Sequence, residues 1–266
     1  MQTKLHNTEQ IMNEIKSVKH CLDILSCFTP ETAEIGVIET SHKLNLSKST
    51  VSRLLATLKQ ENWVVKISPS QKYRLAPKVL ELANIFLANF EWRMIALPHL
   101  KNLRDRTDET VTVFVIQDNE RVCIEKFESS HELRPVLNIG GAYPLHAGAA
   151  GKVLFAHLSK EKRREILPKA GLPRFTSNTI TNFMSLEKEL SKIRKQGYAV
   201  SFQERAQYVS SVSAPIRDFN GEVIASLNLS GPLIRFTHEK VKEFIKMVLE
   251  TAGTISQEIG YKKPQN

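Results

Sequence analysis

Small hydroxyl residues and cationic residues occur together, at the spacing of one helix face, between residues 48 and 59. Hydroxyl groups near a helix N-terminus let the backbone approach a phosphate, and an arginine side chain is long enough to reach base edges. The chemistry that these residue types favour is binding of a DNA duplex. The candidate DNA-binding residues of this segment are Lys48, Ser49, Thr50, Ser52, Arg53 and Lys59.

The positions between these residues are apolar, which predicts a helix from Lys48 to about Glu61, with Ser47 as a good N-cap. The apolar positions fall at i, i+3, i+4 and i+7, and they are Val51, Leu54, Leu55 and Leu58. A shorter helix is predicted over 37–44. Asn45 suits the tight turn between the two helices because asparagine tolerates the left-handed conformation. Two helices joined in this way form a helix-turn-helix.

The elements on either side of the helix-turn-helix complete a small module. An amphipathic helix is predicted over 17–28, with an apolar face made of Val18, Cys21, Leu22, Leu25 and Phe28. Two short strands, 63–67 and 72–75, surround a polar turn and predict a β-hairpin wing. Lys72 and Arg74 of this hairpin would lie beside the DNA phosphates. The alternative is a packing module whose hairpin binds nothing.

The positive charge of the chain is concentrated in the same region. The whole sequence of 266 residues carries a formal charge of +9. Residues 43–74 hold seven lysines and arginines and one acidic residue, a net of +6. Charge alone is equally consistent with a solvated basic face. Its coincidence with the helix-turn-helix favours double-stranded DNA over RNA or a membrane surface as the partner.

Composition excludes several other classes. No apolar run is long enough to cross a membrane, and the first ten residues lack the apolar core of a secretory signal. Three cysteines without a Cys-x-x-Cys pair argue against a disulfide framework or a thiolate zinc site. We therefore expect a cytoplasmic protein that has no membrane partner, no metal and no cofactor.

The second half of the chain mixes strands and helices without a regular βαβ alternation, which favours an α+β domain. Period-two patterns predict hairpins from 110–117 with 121–128, and from 211–217 with 223–229, the latter turning at Asn220-Gly221. Helices are predicted over 152–158, 185–196 and 238–259. Residues 76–106 have the apolar spacing of two helices, which fits a connector that couples two domains or a structural spacer.

No catalytic signature is present in this half. The stretch from Gly148 to Lys152 resembles a P-loop but lacks its first glycine and its final serine or threonine. His146 is interpreted as a hydrogen-bonded structural histidine rather than a base. We therefore predict no catalytic residue. The small residues 147–151 would open a helix, allow close backbone approach and leave amide donors free for a carboxylate.

Motifs along nearly the whole chain resemble those of IclR-family transcriptional regulators. Residues 46–58 and 73–82 resemble the DNA-binding half of that family, and Pro144 to Leu154 resembles its Pro-Leu-His-x-x-x-x-Gly-Lys segment. Further segments recur in the order that the family uses. They are Thr179 to Thr181, Arg194 to Tyr198, Ala214-Pro215 and Ser230 to Pro232.

The resemblance implies an N-terminal winged helix-turn-helix, a helical linker and a GAF-like α+β effector-binding domain. We place these at 1–75, 76–106 and 107–266. It also implies a homodimer or homotetramer, more readily a repressor than an activator, that controls uptake or catabolism of a small organic acid, either a sugar acid or an aromatic acid. By position, it places the effector contacts at Pro135, Tyr143, Ala149, Ala150, Ser201, Val209, Ser211, Asn228 and Ser230.

Three positions depart from the pattern of the resembled family. An acidic pair is common where this chain has Ser201-Phe202, a glycine where it has Tyr208, and a cysteine where it has Ser211. A pocket with fewer carboxylates should repel a negatively charged effector less, and Tyr208 is expected to narrow the cavity. Two alternatives remain open at this point: a cytosolic small-molecule enzyme, and a metabolite sensor that acts through protein partners.

Overall fold

A computed structural model of the protein describes residues 15–29 and 31–262. The chain divides into two compact units, one ending at Asn89 and the other beginning at Phe90. The predicted α+β class is confirmed: a helical unit with a two-stranded hairpin precedes a unit built on a six-stranded sheet. Within the described residues, no helix is both long and apolar enough to cross a membrane.

The described part of the first unit contains three helices, a hairpin and a fourth helix. In chain order they are α1 (Lys16–Leu25), α2 (Val37–Leu44), α3 (Lys48–Gln60), β1 (Val64–Lys66), β2 (Tyr73–Leu75) and α4 (Lys78–Ala88). Asn45 ends α2 in the left-handed conformation, with φ of 54°, as the sequence predicts for the turn. Val51, Leu55 and Leu58 of α3 are buried against α1, α2 and the hairpin, which confirms the predicted apolar stripe.

The predicted apolar face of α1 is wrong in part. Val18 and Leu22 are 54% and 59% exposed, whereas Ile24 is fully buried. Burial of Ile24 with Cys27 places the core-facing stripe on a neighbouring face of this short helix. Helix α4 buries none of its residues within the unit, although the sequence spacing predicts an apolar packing face there.

The second unit begins with α5 (Trp92–Thr107) and is built on one antiparallel sheet of six strands in the order β5-β4-β3-β8-β7-β6. The strands are β3 (Thr110–Gln117), β4 (Glu120–Phe127), β5 (Ala142–Tyr143), β6 (Ala199–Phe202), β7 (Val209–Arg217) and β8 (Val223–Pro232). The remaining helices are α6 (Ala149–His157), α7 (Lys160–Ala170), α8 (Phe183–Gln196) and α9 (His238–Glu258). Both predicted hairpins are present as β3–β4 and β7–β8.

Helices cover both faces of this sheet. Helices α5 and α9 pack on one face, and α6, backed by α8, packs on the other. The core beside α6 contains Phe114, Val153, Leu186 and Ile193. The region predicted as a linker, 76–106, contains α4 and most of α5, and the chain divides between these two helices. Because Ala96, Leu100 and Leu103 of α5 are buried in the second unit, only α4 lies outside it.

Candidate functional site

The N-terminus of α3 is held by a network of hydroxyl groups. Ser47 caps the helix by accepting a hydrogen bond from the Thr50 amide at 3.1 Å. Its Oγ also forms hydrogen bonds with the Ser49 and Thr50 hydroxyls, at 2.9 and 2.8 Å. The predicted N-cap is therefore present, and three hydroxyls cluster at the positive end of the helix dipole. This arrangement suits contact with a phosphate.

The cationic and hydroxyl residues predicted to bind DNA lie on the solvent side of the first unit. Lys48, Ser49, Ser52, Arg53 and Lys59 of α3 are exposed, as is Arg74 of β2, while Thr50 is half-buried. Lys72 differs, because its Nζ lies 3.1 Å from the Glu39 carboxylate of α2. That ion pair, with the Gly36 amide, lowers the pKa of Glu39. The Glu39 carboxylate thus offsets the charge of Lys72.

The second unit contains a cavity between α6, the loop after β6 and the sheet. Space not filled by atoms within it amounts to about 430 Å³, part of it open to solvent. Eight of the nine residues expected to contact an effector line this cavity. They are Pro135, Ala149, Ala150, Ser201, Val209, Ser211, Asn228 and Ser230, and the other lining residues are Phe114, Arg121, Leu137, Gly148, Arg205 and Ala206. Their role in binding an effector stays a prediction.

The N-terminus of α6 is not an open anion site, contrary to the sequence prediction. The Gly148 amide donates a hydrogen bond to Oε2 of Glu204 at 3.1 Å, and the Ala149 amide donates to the Ser211 hydroxyl at 3.4 Å. The helix also begins at Ala149 rather than at Lys152. Side chains from the loop after β6 and from β7 therefore already bind the donors that the sequence suggests are free.

A buried arginine, Arg121 at the start of β4, supplies positive charge to the cavity instead. Its Nη1 donates to the carbonyl oxygens of Pro144 and Ala147, at 2.8 and 2.7 Å. Nε has no hydrogen-bond partner among the described residues. Burial, with the neighbouring charge of Arg205, lowers the pKa of Arg121 to about 9. Arg121 is thus a buried cation held by carbonyl groups, without an ion pair to a carboxylate among the described residues.

Two glycines make room for this guanidinium group beside α6. A Cβ atom at Gly148 would lie 3.2 Å from Nη2 of Arg121, and φ of 90° disfavours any other residue there. A Cβ atom at Gly151 would overlap Nη1 of Arg121 and lie 2.6 Å from the Leu145 carbonyl oxygen. The small residues at the helix start therefore accommodate an arginine of the protein itself.

Glu204, in the loop after β6, forms an ion pair with a buried lysine. Glu204 Oε1 lies 2.6 Å from Nζ of Lys152, which is also 2.9 Å from Oε1 of Glu189. The Val200 carbonyl oxygen accepts a third hydrogen bond from the same ammonium group at 3.1 Å. Lys152 is 1% exposed, so this cluster of ion pairs is internal to the unit, and the charge of Glu204 offsets that of Arg121 only in part.

The three aromatic or histidine positions discussed from sequence lie in different places. Tyr143 does not line the cavity directly, but its ring lies 4.8 Å from the Arg205 guanidinium carbon. Tyr208 has a positive φ of 62° and is 71% exposed, so the expectation that it narrows the cavity is wrong. His146 Nε2 is 3.0 Å from the Pro173 carbonyl oxygen, so the predicted hydrogen bond of this histidine is present.

Sequence reasoning missed Arg121, Arg205 and Glu204. No local motif marks Arg121, because its position beside α6 results from strand pairing and from a contact across more than twenty residues. Glu204 and Arg205 closely follow strand β6, which was not predicted from the sequence. Charged residues after a strand of a binding domain are the signal that could have found them.

A helix-turn-helix unit with an exposed basic helix α3, followed by an α+β unit with a cavity, is typical of DNA-binding transcriptional regulators. Two family models match the chain. The IclR helix-turn-helix domain matches residues 17–68, and the C-terminal domain of the bacterial transcriptional regulator IclR matches residues 85–257. The chain belongs to the IclR family of transcriptional regulators.

Individual relatives agree with this assignment. The HTH-type transcriptional regulator KdgR of Escherichia coli (strain K12) is 33% identical over 249 residues, which cover 94% of each protein. The transcriptional repressor IclR of the same strain is 29% identical over 255 residues, 95% of this chain and 93% of that protein. The protein is thus a DNA-binding regulator, and its relatives are regulators rather than enzymes.

Solved structures share the architecture. The crystal structure of Thermotoga maritima IclR is 32% identical with a TM-score of 0.79, and the match covers 93% of this chain and 100% of that one. An IclR homolog from Microbacterium hydrocarbonoxydans, solved in complex with 4-hydroxybenzoate, has the same TM-score at 24% identity, over 91% of this chain and 98% of that one.

Proposed function

We propose that the protein represses genes for uptake or catabolism of a small organic acid, and that the acid binds in the cavity beside α6. The observation that carries this proposal is the convergence of eight expected effector contacts on one cavity that also contains two arginines. A relative at 29% identity is named a transcriptional repressor, and a more distant homolog binds 4-hydroxybenzoate. Sugar acids and aromatic acids are both candidates on these grounds.

Helix α3 is proposed to enter the major groove. Its exposed Arg53 would contact base edges, and Ser49, Thr50 and Ser52 would approach the backbone, since small residues at a helix N-terminus allow close contact with phosphate. The proposed DNA contacts are Lys48, Ser49, Thr50, Ser52, Arg53, Lys59, Lys72 and Arg74. The proposed partner is double-stranded operator DNA, and the proposed location is the cytoplasm.

A homodimer or homotetramer is proposed as the working form. Helix α4 exposes Leu80, Leu82 and Ile85 at 64%, 51% and 66%, and none of its residues is buried within its unit. Exposed apolar side chains on adjacent turns are typical of a surface that another chain covers. Two copies of the unit would also present two recognition helices to a pseudo-palindromic operator.

The test is equilibrium binding of the full-length protein to a labelled fragment from upstream of its own gene. Arg53→Ala should lower the preference for this fragment over a scrambled fragment, by about 1–3 kcal/mol. Arg74→Ala should weaken binding to both fragments alike and reduce the salt slope by about one. Arg164→Ala, an exposed change on α7, is the matched control.

If both variants bind as tightly as the parent protein at low and at high salt, the assignment of the DNA contacts is wrong. A footprint of the same fragment, recorded with and without added acids, then reports whether an acid releases the protein from its operator, as expected of an induced repressor.

A further inference from the structure

Strand register aligns a row of hydroxyl side chains across the sheet face that lines the cavity. Ser201 of β6 is opposite Ser211 of β7, and Ser211 is opposite Ser230 of β8. Ser230 is in turn opposite Thr110 of β3. Directly opposed residues point to the same face of a sheet, so four neighbouring strands each contribute one hydroxyl. We call these four residues, Ser201, Ser211, Ser230 and Thr110, the hydroxyl row.

The hydroxyl row is buried but not fully hydrogen-bonded. The Ser230 residue is 2% exposed, and its Oγ has no partner among the described residues. The next set of paired residues on this face, Thr112, Asn228 and Ser213, has hydrogen-bond partners within the protein. Asn228 donates to the Thr112 hydroxyl at 3.1 Å, and Ser213 donates to the Leu227 carbonyl at 2.6 Å. A buried hydroxyl without a partner costs free energy unless a ligand or water supplies one. Ser230 is therefore positioned to contact a polar atom of a ligand.

The cavity is also lined by two cationic side chains. The guanidinium carbons of Arg121 and Arg205 lie 5.7 and 4.8 Å from the centre of the Tyr143 ring, so the two cations share one aromatic neighbour. The nearby carboxylate of Glu204 is paired with Lys152. Arg121 itself is 4% exposed with an unpartnered Nε. An anion beside these groups would relieve their mutual repulsion in a low-dielectric site.

Two aromatic rings near the cavity, those of Phe114 and Tyr143, each have a guanidinium group beside them. The Arg121 guanidinium carbon lies 5.3 Å from the centre of the Phe114 ring, and the guanidinium groups of Arg121 and Arg205 both lie close to the Tyr143 ring. Phe114, which lines the cavity, is also only 1% exposed, so it offers little surface on which an aromatic ligand could stack. A cavity lined by both hydroxyl groups and cations matches an aliphatic acid that carries several oxygen atoms.

Within the proposed effector-binding function, we infer that the cavity is specific for hydroxylated aliphatic carboxylates of the sugar-acid type. The carboxylate lies between Arg121 and Arg205, and ligand hydroxyls form hydrogen bonds with the hydroxyl row, with Ser230 as a specificity-determining residue. This inference separates sugar acids from aromatic acids, which the family resemblance leaves open.

The test is binding of probe compounds to the full-length protein, by thermal shift and titration calorimetry. D-Glycerate, D-gluconate and D-galacturonate are the hydroxylated acids. D-Glucitol tests hydroxyls without a carboxylate, hexanoate tests a carboxylate without hydroxyls, and 4-hydroxybenzoate tests an aromatic acid. At least one hydroxylated acid should raise the melting temperature and bind at least tenfold more tightly than all three comparison compounds.

Variants locate the bound acid. Arg205→Gln should weaken binding of the acid at least tenfold, and Ser230→Ala should weaken it several-fold while leaving binding of hexanoate unchanged. Arg164→Gln, an exposed change outside the cavity, should bind like the parent protein. Arg205 is half-exposed, so its replacement is chosen to avoid the folding defect that a change of the buried Arg121 would risk.

Three outcomes would overturn the inference: tighter binding of 4-hydroxybenzoate or D-glucitol, undiminished binding by Arg205→Gln, or no binding of any hydroxylated acid. DNA binding by the same preparations distinguishes this failure from failure of the proposed function. Intact operator binding that responds to 4-hydroxybenzoate alone would refute the sugar-acid specificity and retain the regulator. Loss of specific operator binding by the parent protein would refute the proposed DNA contacts instead.

Discussion

The ammonium group of Lys152 and the carboxylate of Glu204 form a buried ion pair, with Nζ and Oε1 2.6 Å apart. Glu204 also accepts a hydrogen bond from the Gly148 amide, so one carboxylate joins the loop after β6 to the start of α6. Thr179 strengthens this position by donating to the Glu204 carbonyl at 2.6 Å. The loop that carries Arg205 is therefore fixed in place by its neighbour.

Removing one member of this pair should destabilise the second unit strongly. Lys152→Met leaves Glu204 and Glu189 without their common cation, and breaking a buried pair costs about 3–5 kcal/mol. The free energy of unfolding in urea measures the loss. Lys162→Met, which removes an exposed pair with Glu165, is the control and should cost less than about 1 kcal/mol. Equal losses for the two variants would contradict the structural role of Lys152.

Removal of Glu39 should strengthen DNA binding. Glu39→Gln frees Lys72 from its ion pair at 3.1 Å, so that Lys72 contributes its full charge to phosphate contacts. We expect tighter binding to specific and scrambled fragments alike, with a steeper dependence of affinity on salt. Glu34→Gln, another exposed carboxylate of the same unit, separates this effect from the general change in net charge. Equal gains for both variants would mean that Lys72 makes no phosphate contact.

Acidification should destabilise the protein through His157. Burial lowers the pKa of His157 below its usual value of 6.5, and the positive charge of Arg217, whose Nη2 is 3.0 Å from Nε2, lowers it further. The hydrogen bond from Nδ1 to the Val153 carbonyl, at 2.9 Å, opposes this shift only in part. The unfolded chain therefore binds the proton more readily than the folded protein. Stability is full above the unfolded pKa and falls as the pH drops below about 6.5 towards the folded pKa.

Urea unfolding at pH 7 and pH 5 checks this dependence. His157→Gln should lose less stability between these pH values than the parent protein, and the exposed change His238→Gln should leave the loss unaltered. The residual loss in His157→Gln is attributed to His146, whose pKa is also lowered by burial. A His157→Gln variant with the full loss of the parent would exclude His157 as a source of the pH dependence.

Local sequence patterns predict helix α3 well because its signals are local. The N-cap Ser47, the left-handed Asn45 and the stripe of Val51, Leu55 and Leu58 all lie within fourteen residues. The two sheet hairpins are also predicted correctly, because alternation of apolar and polar residues is likewise a local pattern. Helix α1 shows the limit of local patterns. Its sequence offers two possible apolar faces, and which of them is buried depends on where the other helices of the unit pack.

The chemistry of the cavity depends on contacts between distant parts of the chain. Position in the family motifs locates eight lining residues, but it does not reveal Arg121, which reaches the carbonyl of Ala147 across 26 positions. The pairing of Lys152 with Glu204 spans 52 positions. Both contacts result from the packing of α6 against the sheet, which no local periodicity describes. The expected free amides at Gly148 and Ala149 fail for the same reason.

Two glycine-to-alanine substitutions in helices should have opposite effects on stability. Alanine is normally favoured over glycine in a helix, by about 0.5–1 kcal/mol. At Gly253 of α9, an added Cβ meets no atom within 4 Å, so Gly253→Ala should stabilise by about that amount. At Gly151 of α6, the Cβ would lie 2.6 and 2.8 Å from the carbonyl oxygens of Leu145 and Pro144 and would overlap Arg121.

Gly151→Ala should consequently destabilise, because those carbonyls belong to backbone and the guanidinium is buried, so none can move without breaking hydrogen bonds. Overpacking of this kind costs about 1–3 kcal/mol. Because Arg121 donates a hydrogen bond to the Pro144 carbonyl, the substitution should also displace Arg121 and weaken acid binding. Gly253→Ala should bind acid like the parent protein. Unfolding in urea and calorimetric titration with D-gluconate measure the two effects. A Gly151→Ala protein as stable as the parent would show that α6 and the segment before it do not confine the Arg121 guanidinium.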